Sequence, residues 1–252
     1  MTTDDRTDHI VASTLAAQAG ELLLEVRSRD AVDAAARKAA GDAEAHRFLM
    51  ARLSADRPDD AVLSEEGADD PIRLVSDRVW IVDPLDGTQE YSELDRPDWA
   101  VHVALWARGA LVAGAVALPA EGLTLSTGQP PAVPARAAGP LRLAVSRTRP
   151  PALAEDLTVR LGAELVPMGS AGVKAMSVVR GQTDAYVHAG GQYEWDSAAP
   201  VAVAVAAGLH TSRLDGSRLR YNQPNPYLPD LLICRPELAD RLLEAIAQLP
   251  AR

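Results

Sequence analysis

The run Val79-Trp80-Ile81-Val82, with the six residues after it, limits the possible folds more than any other stretch. Four successive apolar residues, β-branched or aromatic, suit a strand covered on both faces. The run stops abruptly at Asp83-Pro84-Leu85-Asp86-Gly87-Thr88, where Pro and Gly force a turn because neither sits well inside a central strand. Any fold must therefore place two carboxylates, three residues apart, at the end of a buried strand. Pro84 fixes φ and removes a donor, so the turn is restricted. Gly87 lets a phosphate approach the backbone closely. A helical turn opening near Gly87 would aim free N–H groups at it.

Around this element the chain reads as alternating helices and strands. Residues 7–27 predict an amphipathic helix with Ile10, Val11, Ala16, Leu22, Leu23 and Val26 on or near one stripe. Residues 28–41, small and charged and ending in Gly41, read as a loop; a second helix opens at Asp42, passes through Phe48, Leu49 and Leu53, and ends before Pro58. A short strand, Ala61-Val62-Leu63, runs into Ser64-Glu65-Glu66-Gly67, and 99–106 and 111–118 pair as strands. The Pro- and Gly-bearing stretch 128–140 is the clear linker. It divides one domain into an N-terminal α+β subdomain, 1–127, and a C-terminal α/β subdomain, 141–252. Beyond it the alternation continues through 141–145, 151–161, 163–167, 171–180, 184–188, 196–208, 230–234 and 236–248. That order predicts a layered α/β architecture.

The net charge of −10 disfavours a nucleic-acid polymer or an anionic membrane as partner, since no broad positive field offers itself to phosphates. A small phosphorylated substrate remains compatible, because bound divalent cations reverse the field inside an acidic pocket. The single cysteine, Cys234, lies in the apolar run 231–234, reads as a buried thiol, and excludes an intramolecular disulfide. No apolar stretch of about 20 residues predicts a membrane span. The polar start MTTDDRTDHI lacks a basic-then-apolar leader, so a cytoplasmic location is expected.

Taken singly, each acidic feature has an ordinary reading. DxxDG is a common turn, Glu65-Glu66 a solvated corner, and Asp196, ahead of Ser197-Ala198-Ala199-Pro200, an N-cap. Two chemistries are excluded by spacing. An EF-hand needs an oxygen donor at position 85 and a Glu at 94, where Leu85 and Leu94 stand. An aspartyl-phosphate nucleophile wants a second Asp two residues on, again Leu85. Hard divalent metals take carboxylate and carbonyl oxygens, and the segment 83–86 offers both.

Jointly, Ser64-Glu65-Glu66, Trp80 to Thr88, Gly169-Ser170-Ala171-Gly172 and Glu194-Trp195-Asp196 resemble the lithium-sensitive, Mg²⁺-dependent phosphatase superfamily that includes inositol monophosphatases. The likeness spans nearly the whole chain. It implies an α-β-α-β-α sandwich of sugar-phosphatase type and two or three Mg²⁺ ions. Glu65, Asp83 and the Leu85 carbonyl would hold one ion; Asp83, Asp86 and Asp196 another. It implies that Thr88 and Asp42, with Glu65, position the attacking water, and that Gly87 and Thr88 N–H groups bind phosphate. Glu65, Leu85, Asp86, Ser170, Lys174 and Asp196 complete the substrate site.

Within the superfamily, Gln89-Glu90-Tyr91, Ser146-Arg147, Lys174, Tyr221-Asn222 and Asn225-Pro226 are similar to 3′(2′),5′-bisphosphate nucleotidases of the CysQ type, which act in sulfur assimilation. The implied reaction converts 3′-phosphoadenosine 5′-phosphate to AMP and phosphate, with Lys174 and Arg147 on the retained 5′-phosphate. The alternative is a broad phosphatase acting on inositol 1-phosphate or fructose 1,6-bisphosphate. The segment Lys38-Ala39-Ala40-Gly41-Asp42 is compressed relative to the family, although Asp42 still falls 23 residues before Glu65, so a third metal and the role of Lys38 stay open. His188 reads as a packing or surface residue, and a homodimer is expected by analogy alone.

Overall fold

Two five-stranded sheets form the frame, one on each side of the 128–140 segment. The computed structural model describes residues 3–29 and 33–249. The first sheet, ordered β1-β2-β3-β4-β5, comprises β1 (Ala61–Ser64), β2 (Arg78–Asp86), β3 (Ala100–Ala107), β4 (Ala110–Leu118) and β5 (Leu123–Ser126). Only β1 and β2 are parallel in it. The second sheet, ordered β7-β6-β8-β10-β9, uses β6 (Leu141–Ser146), β7 (Ala163–Met168), β8 (Ala185–Tyr193), β9 (His210–Ser212) and β10 (Tyr227–Cys234). Here β6 runs parallel to β7 and β8, while β10 is antiparallel to β8 and β9.

Helices α1 (Thr3–Arg27) and α2 (Ala34–Asp56) cover the outer face of the first sheet. Between the sheets lie α5 (Ala171–Val179) and α6 (Glu194–Ala206), and α4 (Ala152–Leu161) and α7 (Ala239–Ala247) cover the far face of the second. The α-β-α-β-α sandwich implied by the family resemblance is thus present. Strand β2 explains it locally. Trp80 and Val82 point into the core with α1 and α2, whereas Val79 and Ile81 point into the core shared with α6. Alternate side chains face opposite ways, so a strand apolar at every position needs helices on both faces.

Four expectations change. Residues 34–41 are helical, so α2 opens at Ala34 and not at Asp42. Five alanines with Arg37 and Lys38 are strong helix formers, and Asp33 caps the helix by accepting from Ala36 N at 2.7 Å. Gly41 is a contact requirement instead of a stop signal: a Cβ there would lie 2.7 Å from Tyr91 Cε1 and 3.0 Å from Leu85 Cδ2. The predicted loop residues 30–32 lie outside the described residues. Second, β2 does not end at Val82 but pairs with β3 through Asp86, with a bulge between Asp83 and Asp86 that accommodates Pro84. Third, α6 opens at Glu194, so Asp196 is its third residue and not its N-cap. Fourth, Ile10 is exposed, off the buried stripe of α1, while the short strands β5 and β9 escaped prediction. No helix among the described residues is long and apolar enough to cross a membrane.

Candidate active site

The parallel pairing of β1 and β2 sets Ser64 opposite Val82, so Glu65 and Asp83 leave adjacent strands side by side. Their carboxyl groups share a hydrogen bond. At the bulge, Leu85 N donates to Asp83 Oδ1 at 3.0 Å, which fixes the turn from inside. Gly87 follows in the left-handed region at φ +87°, where a Cβ would crowd Ser170, Asp98 and Trp99. It opens the short helix α3 (Thr88–Ser92). Arg27, at the end of α1, holds that helix from behind by donating to the carbonyls of Tyr91 (2.9 Å), Glu93 (2.6 Å) and Arg96 (2.8 Å).

The second half of the chain supplies the opposite boundary. Ser170, held at the unusual φ of +36°, caps α5 by accepting from Val173 N and donates to Asp86 Oδ2 at 2.5 Å. Gly172 N donates to the same oxygen at 2.7 Å, so Asp86 sits on the positive end of α5. Asp196 is oriented by Tyr193 N, 2.6 Å from its Oδ2. Asp83, Asp86 and Asp196 thereby bring ligand oxygens within 4.8 Å of one another. Glu65 lies outside that triad and joins it through Asp83.

Charge crowding is the chief property of this corner. Burial first, then the charges of Glu65, Asp86 and Asp196, hold the Asp83 carboxyl well above the usual range. Desolvation and neighbouring acids push Glu65 and Asp196 up to about 7. Asp42 rises to about 6, by burial and by Glu66, with Lys38 opposing. Asp86 behaves differently: burial opposes its ionisation, yet His102, Lys174 and Ser170 outweigh it and hold the carboxyl below its ordinary range. A set of hard oxygen donors with more negative charge than the chain neutralises suits a divalent cation.

The same corner forms one wall of a cavity of about 290 Å³. Lys174, Arg149, His188, Tyr186 and Gln192 line it as well. Lys174 is buried and donates two of its three N–H bonds to the carbonyls of Gly169 (2.9 Å) and Ser170 (2.8 Å), over the Tyr186 ring. One donor remains for the cavity. Arg149 lines the rim, exposed and without an ion pair among the described residues. Arg147, the residue expected on a substrate phosphate, is instead bound to Glu90 (2.8 Å) and Glu93 (3.2 Å). Strand β6 ends at Ser146, and in the bend that follows it is position 149 that lines the cavity. His188 is not a surface residue; it too lines the cavity. Thr88 donates to Leu85 O at 3.3 Å, and no hydrogen bond joins it to Asp42 among the described residues. Lys38 pairs with Gln89. Sequence reasoning missed Arg149, Tyr186, Gln192 and the buried His102. A polar residue in the middle of an apolar strand was the one signal available for the last.

A layered α/β sandwich with a carboxylate triad where β2, α5 and α6 meet, in a cavity also lined by Lys174 and Arg149, is the arrangement of a metal-dependent class of phosphate-handling enzymes. The chain belongs to the inositol monophosphatase family, whose model matches residues 4–251. It is 56% identical over 257 residues to the 3′-phosphoadenosine 5′-phosphate phosphatase of Mycobacterium bovis, covering 97% of this chain and 95% of that protein. It is 31% identical over 233 residues to the 3′(2′),5′-bisphosphate nucleotidase CysQ of Escherichia coli K12, covering 85% and 94%. Among solved structures, CysQ from Bacteroides thetaiotaomicron superposes with a TM-score of 0.81 at 26% identity, covering 91% of this chain and 97% of that one.

Proposed function

We propose that this chain hydrolyses the 3′-phosphate of 3′-phosphoadenosine 5′-phosphate, giving AMP and phosphate, with Mg²⁺ held by Glu65, Asp83, Asp86, Asp196 and the Leu85 carbonyl. The observation that carries this reading is the charge layout of a single cavity. Asp86 and Asp196, from the carboxylate cluster, line it together with Lys174 and Arg149. A substrate with one scissile and one retained phosphate uses both the acidic and the basic lining. The 56% identity to a protein named for that substrate supports the choice.

Bound there, Mg²⁺ would neutralise charge on the phosphoryl group and make water more acidic. The chain's own residues supply the rest. Gly87 and Thr88 N–H groups face the scissile phosphate. Asp42, pushed up to about 6, is poised near neutral pH to take a proton from the attacking water; the Thr88 hydroxyl, which donates to the Leu85 carbonyl in the free chain, would turn to that water. The water oxygen forms the new P–O bond, and the 3′-oxygen leaves with the electron pair and gains a proton. Lys174 and Arg149 hold the 5′-phosphate. The site would lie on the seam of two subdomains, 1–127 and 141–252, within one domain.

Phosphate release from 3′-phosphoadenosine 5′-phosphate, inositol 1-phosphate and fructose 1,6-bisphosphate, with Mg²⁺, with chelator and across a Li⁺ titration, tests this. The bisphosphorylated nucleotide should be preferred in kcat/KM by about tenfold or more, with turnover lost in chelator. Equal kcat/KM for inositol 1-phosphate removes the substrate assignment. An undiminished rate in chelator removes the metals.

A further inference from the structure

His102 lies midway along β3, between Ala100 and Ala104, on the face turned toward α5 and α6, and it is fully buried. Its Nδ1 is 3.1 Å from the carbonyl of Trp195. A carbonyl only accepts, so Nδ1 carries the hydrogen. Its Nε2 is 3.2 Å from Asp86 Oδ2 and has no aligned hydrogen-bond partner. A buried ring nitrogen whose one polar neighbour is a carboxylate demands an explanation. Asp86 Oδ2 also accepts from Ser170 Oγ and Gly172 N. Two donors from the start of α5 and the edge of the His102 ring thus converge on one oxygen, which leaves Oδ1 for a ligand. The fit is specific to this ring, because a Cβ on Gly172 would overlap His102 Nε2.

We propose that His102 is a positioning residue, a strut between Asp86 and the Trp195 carbonyl that fixes how Asp86 and Asp196 face a shared cation. This rests on the metal-centre reading above. One end of the ring bears on a carboxylate of the first sheet. The other holds the backbone one residue before Asp196, on the helix between the sheets. The imidazole is rigid, so it sets a fixed spacing between two like charges that would otherwise splay. Partners that orient metal-binding side chains in this way typically change metal affinity or activity by about 10–100-fold when removed.

The test is Mn²⁺ binding to the full, substrate-free chain by calorimetry or paramagnetic resonance, with kcat and KM alongside. His102→Ala should weaken Mn²⁺ binding by about 10–100-fold, while KM at saturating metal moves by less than about threefold. His102→Gln, whose amide nitrogen reaches toward Asp86, should recover part of that loss. Gly172→Ala keeps the ring but displaces it; it should weaken Mn²⁺ binding alone and add little on top of His102→Ala. Unchanged affinity in a folded His102→Ala chain overturns the proposal. If that variant fails to fold, unchanged affinity in Gly172→Ala overturns it. A wild-type chain that binds no Mn²⁺ and works in chelator overturns the metal centre itself, and the strut with it.

Discussion

The two walls of the cavity face opposite charge problems. On the β2 side, acids crowd one another: burial and mutual repulsion raise Glu65 and Asp196 to about 7 and hold Asp83 well above the usual range, while Asp86 alone is held down. On the α5 and β8 side, the cations are damped. Burial lowers Lys174 despite nearby acids, and burial with Lys174 brings His188 down to about 4. On the basic side Lys174 gives two donors to carbonyls, while His188 Nε2 and Gln192 Oε1 lie buried without a hydrogen-bond partner among the described residues. The acidic side is short of countercharge at Glu65, Asp83 and Asp196. A region left unsatisfied inside an otherwise consistent fold marks where something outside the chain must bind.

Breaking the acidic wall should have the largest effect. Asp83 is the residue most opposed by its surroundings. Asp83→Asn removes a charge without changing shape. Turnover should fall by about 10³-fold or more, while the metal-free chain gains about 1–3 kcal/mol at pH 8. Kinetics and melting curves of the same preparation check both halves. A variant that loses activity and stability together would mean that Asp83 is structural.

The basic wall is expected to act on affinity and not on chemistry. Lys174→Met keeps volume but removes the donor facing the cavity. KM for 3′-phosphoadenosine 5′-phosphate should rise by about 10–100-fold, and that for inositol 1-phosphate much less. Equal rises for both would show that Lys174 serves the turn at Gly169-Ser170 and not the retained phosphate.

The walls also differ in how far the sequence discloses them. Val79 to Thr88 is a local signal, in which a buried strand, a Pro and a Gly fix the bend without reference to the rest of the chain. Gly41 is the reverse case. Its smallness answers to Tyr91 and Leu85, distant in sequence, so reading it locally as a helix break placed α2 eight residues late. Asp86 and Asp196 were legible as acids, but not that Ser170, Gly172 and His102 crowd one oxygen of Asp86. That convergence exists only once β3, α5 and α6 pack. Of the two cations read from the sequence, Lys174 lines the cavity and Arg147 does not, since which of two nearby arginines faces inward depends on how the chain leaves β6.

Protons and cations should compete for the acidic wall, which gives a pH dependence of known sign. Glu65 and Asp196 have folded pKa values of about 7, raised from ordinary carboxyl values. The folded state therefore binds more protons than the unfolded state between about pH 4 and 7. Their contribution to metal-free stability is complete below that window and is lost as pH rises through 7. Mg²⁺ bound at these carboxylates would replace those protons, so it should raise the melting temperature more at pH 8 than at pH 6, by roughly 2–4 °C per kcal/mol for a chain of this size. A Mg²⁺ effect equal at both pH values would mean that the cation does not occupy these carboxylates.

The smallest expected effect separates two arginines that the sequence does not distinguish. Arg149 stands exposed at the cavity rim, where water screens its charge, so its pull on a retained phosphate is weak and salt-dependent. Arg149→Ala should raise KM for the bisphosphorylated nucleotide by about three- to fivefold at low salt. The difference should shrink toward nothing as ionic strength rises and the Debye length falls below about 8 Å. Arg147 is engaged by Glu90 and Glu93 and lies off the cavity, so Arg147→Ala should leave that salt dependence as in the wild type. If the salt-sensitive part of KM follows Arg147 and not Arg149, the basic wall extends over α3. The retained phosphate would then sit against the same helix that is proposed to bind the scissile one.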